Sequence, residues 1–179
     1  MLLKGPSWIK FILPAMLAVI VLSLSVWAQS ETLDLAPPPM RVLPKDEKER
    51  LDRSKDIGSR TKLALNLMEG RLAEAEAQSK RQNYDGMFRE LGHFHALMDN
   101  SLDYLNRNNT GTGKVLDNFK RLEIGLRKFI PRLEAVRREL PLRFEDYVRK
   151  LMIRIRDARS KATEPLYGDT VIRRPDTDQ

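Results

Sequence analysis

Four runs of apolar residues, spaced alternately by three and four, restrict this chain to a helical fold. The cleanest of them, Val115, Phe119, Leu122, Leu126, Phe129, Leu133, Val136 and Leu140, keeps its phase for about seven turns. Met87, Leu91, Phe94, Met98, Leu102 and Leu105 form a second such run, and Phe144, Val148, Leu151, Ile155, Ala158 and Ala162 a third. Steps of three and four return a side chain to the same side of a 3.6-residue helix, so each run is one buried face. The remaining run reads as a heptad, with Leu51, Gly58, Leu65 and Leu72 on one seam and Ser54, Thr61, Met68 and Ala75 on the other. It is poor in apolar side chains before Gly58 and good after it. No alternation of period two competes, so the expected class is all-α.

Punctuation divides these stripes. Asn83-Tyr84-Asp85-Gly86 has turn chemistry, with Asp85 as the expected cap of the helix that follows. Residues 106–113 (NRNNTGTG) form the clearest loop. Pro131 lies inside an unbroken stripe and predicts a kink, whereas Leu140-Pro141 predicts a boundary. The expected architecture is an antiparallel bundle of four helices over residues 45–163. The alternative is three helices, the last long and kinked at Pro131 and Pro141. The segment Gln82-Asn83-Tyr84-Asp85 between two amphipathic helices resembles the turn of a helical-repeat hairpin. That likeness covers one hairpin, and no period near 34 residues recurs.

Ahead of the bundle the sequence carries an address. Lys4 and Lys10 precede Phe11 to Ala28, a run of 18 residues without charge that ends in Val26-Trp27-Ala28. A basic start, an apolar middle and a small-residue exit are the parts of a secretory signal, so residues 1–28 are expected to direct export and be cleaved. An uncleaved anchor is the alternative, since an uncharged, mostly apolar run of 18 residues is just long enough to span a bilayer. Either way the rest of the chain lies outside, periplasmic or secreted, and removing residues 1–28 lowers the net charge from +7 to +5. Residues 29–44, with Pro37-Pro38-Pro39 and Pro44, read as a proline-rich linker, and 164–179 as a disordered tail.

Chemistry is constrained by what the chain lacks. It has no Cys and two His, which excludes thiolate nucleophiles, Cys-based metal sites and any three-imidazole site. Glu90-Leu91-Gly92-His93 matches half of the di-metal pattern of helix bundles, but no second Glu-x-x-His exists. His95 sits at the edge of an apolar face and reads as a structural histidine, and Asp99 and Asp103 read as solvated acids near the basic residues of another helix. Gly111-Thr112-Gly113-Lys114 fails as a phosphate loop, because Asn108 stands where the first Gly should and Val115 where Ser or Thr should. No catalytic residue, metal or cofactor is therefore expected.

Charge supplies the one asymmetry. Residues 120–161 hold 14 basic and 6 acidic side chains, while residues 29–119 are nearly balanced. Arg149, Lys150, Arg154 and Arg156 flank the Val148–Leu151–Ile155 seam and are the candidate contacts for an anionic surface. The expected function is non-enzymatic, through protein–protein contacts in the cell envelope, with self-association open to it. An anionic membrane surface or polymer bound by the basic helices is the alternative. Nucleic acid is not expected, since aromatic side chains for base stacking are not interleaved with the cations.

Overall fold

The computed structural model describes residues 35–167, and among these described residues there are five helices and no strand. The chain divides into residues 1–34 and 35–179, and everything described belongs to the second unit. The expected signal segment, its cleavage point and residues 168–179 lie outside the described residues. Among the described residues, no helix is long and apolar enough to cross a membrane.

The first expected helix is two. Helix α1 spans Lys45–Arg53 and α2 spans Ile57–Lys80. Asp56 adopts extended backbone and accepts a hydrogen bond from Ser59 N at 2.9 Å, so it caps α2 and ends the continuity of the heptad. The charged lead is nonetheless held down: Leu51 is fully buried, and the buried Arg60 guanidinium donates to Leu51 O and pairs with Asp52. In α2 the buried positions are Thr61, Ala64, Met68, Leu72, Ala75 and Ser79, while Leu65, expected on the seam, is half-buried.

Helix α3 spans Tyr84–Arg107, two residues earlier than expected, because Asn83 and not Asp85 is its cap, accepting from Gly86 N at 3.1 Å. The turn before it has Gln82 at φ 58°, with Gln82 N donating to Ser79 O and Asn83 N to Gln78 O. This pair of bonds is the left-handed helix stop usually built on Gly. Helix α4, Gly113–Glu139, runs through Pro131, and the Leu140-Pro141 connection separates it from α5, Leu142–Tyr167. Residues 164–167, expected to belong to a disordered tail, are instead the last turn of α5, which continues past Pro165, and Leu166 packs on the core.

Helices α2 and α3 form one hairpin, α4 and α5 another, and the two hairpins lie side by side. Gly58 faces Asn118 and Arg121, Leu65 faces Gly125, and Glu76 pairs with Arg132, so α2 and α4 run parallel. Tyr84 and Phe88 meet Phe144 and Tyr147, and His95 meets Tyr147, so α3 and α5 run parallel too. The stacked neighbours α2 with α4 and α3 with α5 are thus parallel, while the two helices of each hairpin are antiparallel. The purely antiparallel bundle is corrected to stacked helix pairs, with α3 crossing to α4 through the core where Phe94 meets Phe129 edge-on at 5.2 Å. The expected core residues Leu91, Phe94, Met98, Leu102, Phe119, Leu122, Leu126, Leu151 and Ile155 are all buried.

The proline-rich segment is no spacer from residue 35 onward. Ala36 N donates to Arg143 O at 2.9 Å, Arg41 approaches Asp99 at 3.7 Å, and Met40 O lies against Gly92. A Cβ on Gly92 would come within 2.4 Å of that carbonyl, so only glycine admits this strap to α3.

Candidate interaction surface

Of the four basic residues singled out on α5, two are already engaged. Arg149 and Lys150 share the Asp146 carboxylate, at 2.5 and 2.7 Å, and hold it below the ordinary aspartate range, Lys150 contributing most. Arg154 and Arg156 are exposed and have no ion pair among the described residues. At roughly 100° per residue, Arg149 and Arg156 share one side of α5, while Lys150 and Arg154 share another. The four do not form one patch.

Five further cations of residues 120–161 are also paired. Arg132 bridges Glu69 and Glu76 of α2, at 2.7 Å to Glu76. Arg137 spans Glu134 and Glu145, and Arg138 also reaches Glu134. Glu123 is buried between Arg127 at 2.9 Å and Arg159 of α5 at 2.7 Å. Burial alone would raise the Glu123 pKa, but the two guanidiniums hold it below the ordinary glutamate range.

Histidine and carboxylate clusters serve the interior. Arg71 donates to Glu47 at 3.0 Å and to Glu90 at 2.7 Å, tying α1, α2 and α3 together. Glu90 of the Glu-x-x-His element is therefore an arginine partner, with His93 Nδ1 a further 3.9 Å away. Among the described residues, no group of three His, Cys, Asp or Glu side chains is placed to hold a metal. Glu47 Oε2 and His93 Nδ1 are buried without a hydrogen-bond partner. His95 lies 3.4 Å from the Tyr147 hydroxyl and 3.6 Å from Asp99. Burial holds both histidines below their ordinary pKa and raises that of Tyr147. The basic neighbour of Asp99 is Arg41 of the strap, not a residue of another helix.

A different surface gathers several cations without an ion pair among the described residues. A groove of about 380 Å³ runs between α2 and α4, lined by Leu65, Asp117, Lys120, Arg121, Ile124, Gly125 and Lys128. Its floor exists because Gly125 has no side chain: a Cβ there would stand 2.4 Å from Leu65 Cδ2. Ile124 is 42% exposed at the edge. Toward the N-termini of both helices the groove continues past Lys62, Lys114 and Asp56. Lys114 is paired with Asp56 at 2.6 Å, but Lys62, Lys120 and Lys128 have no ion pair among the described residues. Arg121 donates to the neutral Asn118 side chain.

A second, larger groove of about 470 Å³ lies along the strap, between Pro37, Pro38, Pro39, Met40 and Val42 and the α3 residues Asp85, Phe88, Arg89 and His93. Met40 is 82% exposed at its rim.

The α2/α4 groove is absent from the sequence reading. Its signal is a second stripe on α4: Asp117, Arg121, Ile124 and Lys128 recur at steps of four, three and four, opposite the core stripe. Gly125 inside a long helix is the companion sign. Neither says that α2 lies alongside. Compared with protein-family models, curated proteins and solved structures, the chain matches none.

Proposed function

We propose that this chain is an exported, non-enzymatic helical protein that works by docking a partner protein in the cell envelope. Export is the reading of residues 1–28, where Lys4 and Lys10 precede the uncharged run to Ala28. The observation that carries the contact function is the α2/α4 groove, an apolar floor edged by cations that no internal acid neutralises. Apolar floor with charged rim is the composition of a protein contact site.

A benzoylphenylalanine placed at position 124 in the living cell tests this. Irradiation should give an adduct to one protein from position 124 and none from position 153, an equally exposed isoleucine on α5. No adduct at position 124 would reject the contact function.

A second reading is that the cations bind an anionic envelope polymer or lipid, for which the unpaired Lys120, Lys128, Arg154 and Arg156 speak. Salt-sensitive retention on an anionic matrix without a protein adduct would favour it.

A further inference from the structure

We infer that the occupant of the α2/α4 groove is an acidic amphipathic helix of a partner protein, lying antiparallel to α2 and α4. The inference rests on the docking function proposed above and names its partner class. Three features converge on it.

Charge comes first. Setting aside the Lys114–Asp56 pair, the two linings hold Lys62, Lys120, Arg121 and Lys128 against Asp117 alone. A segment rich in Asp and Glu meets this rim with complementary sign, whereas a neutral or basic one leaves the cations facing like charge or nothing.

Shape comes second. Along α4 the lining runs from Asp117 to Lys128, about 16 Å or three turns. The trough is deepest where Gly125 meets Leu65, and Ile124 stands at its edge. A helix offers apolar side chains at i, i+3 or i+4, and i+7 from one face, which suits a trough of that length. An extended polyanion has no apolar row to place on the floor, and a flat bilayer reaches the rim but not the floor.

Direction comes third. Since α2 and α4 run parallel, their N-terminal ends, each carrying the positive end of a helix dipole, lie together beside Lys62 and Lys114. A docked helix running the opposite way brings its negative C-terminal end to that place. It also becomes an antiparallel neighbour to both helices, as α3 and α5 already are within their hairpins.

The test uses the full chain in mild detergent and a labelled 21-residue peptide with Leu on one face and Glu on the flanks. Its counterpart has every Glu replaced by Lys, and poly-L-glutamate and anionic phospholipid vesicles serve as further probes. The Glu/Leu peptide should bind, with methyl shifts at Leu65 and Ile124. The Lys120→Glu, Lys128→Glu double variant should weaken that binding at least tenfold and bind the Lys/Leu peptide instead. Both lysines are exposed, so an unchanged helical circular dichroism spectrum confirms that the variant folds. Ile124→Asp should weaken the Glu/Leu peptide comparably.

Equal binding of the peptide to the double variant would overturn the inference. So would poly-L-glutamate or vesicles competing as well as the peptide does, since the floor would then be unused. A dimer of the full chain that the double variant dissolves would identify a second copy as occupant and overturn it as well. If position 124 still gives a protein adduct in cells while the Glu/Leu peptide does not bind, only the partner class is wrong. If both fail, the docking function falls with it.

Discussion

Glu123 is a polar residue whose loss the fold should feel. It is buried, accepts from Arg127 of its own helix, and joins α4 to α5 through Arg159. Its guanidinium partners keep access to water, so Glu123→Ala costs the lost charged hydrogen bonds and should destabilise by about 1.5–2 kcal/mol, read from denaturant unfolding. Arg127→Ala, at the open end of the same cluster, should cost about 1 kcal/mol or less. The two histidines make a separate prediction. Burial is the main cause holding His93 and His95 below the ordinary histidine pKa, with Arg71 acting further on His93, and Arg41 and Arg154 on His95. Glu90 and Glu47 oppose this at His93, and Asp99 at His95. As pH falls below about 6.5 the unfolded chain therefore takes up protons before the folded one, and stability declines. Melting temperature should be flat above pH 7 and fall between pH 6.5 and 5, before the carboxylates titrate. In the His93→Gln, His95→Gln double variant the slope in that window should vanish, whatever the absolute stability. A slope that survives would assign it to other groups.

Connections between helices carry the next set of consequences. Gln82 holds a left-handed conformation that costs a side chain roughly 1 kcal/mol relative to glycine. Gln82→Gly should therefore raise stability by about 0.5–1 kcal/mol, and Gln82→Val should lower it. Gly92 sets how the strap lies on α3, and Gly92→Val meets backbone at Met40 O. That substitution should expose residues 35–44 to proteolysis and faster amide exchange while the helices keep their circular dichroism; unchanged protection of the strap would contradict its docking on Gly92. These elements also mark what sequence could and could not convey. The stripes of α3, α4 and α5 were readable because apolar spacing is a local property, and their positions are buried except at the α4–α5 connection, where Leu140 and Phe144 are half-buried. The break at Ser54–Asp56 was hidden because a heptad continues in register across it. The strap was hidden because proline runs look alike whether solvated or docked, and only the partner surface at Gly92 distinguishes them. Asn83 and Asp85 are both good caps by residue type, and which one caps α3 depends on where Gln82 turns the chain.

For the molecule as a whole, net charge was readable and its disposition was not. Pairing partners come from the parallel stacking of the two hairpins: Glu69 and Glu76 take up Arg132 only because α2 lies alongside α4. The same stacking leaves Lys62, Lys120 and Lys128 around one trough, while Arg154 and Arg156 stand on different sides of α5. Two substitution sets separate position from total charge. Gln at Arg149, Lys150, Arg154 and Arg156 removes four positive charges, and Gln at Lys62, Lys120 and Lys128 removes three. Neither should shift unfolding by more than about 1 kcal/mol per exposed pair lost, since such pairs are screened by solvent. Retention on an anionic column at low salt should nonetheless fall more for the set of three, because adjacent charges on one surface act together within a Debye length of about 10 Å at 0.1 M salt. The difference between the sets should narrow as salt rises. If retention instead follows the number of charges removed, the groove has no electrostatic identity of its own, and the acidic-helix assignment loses the first of its three supports.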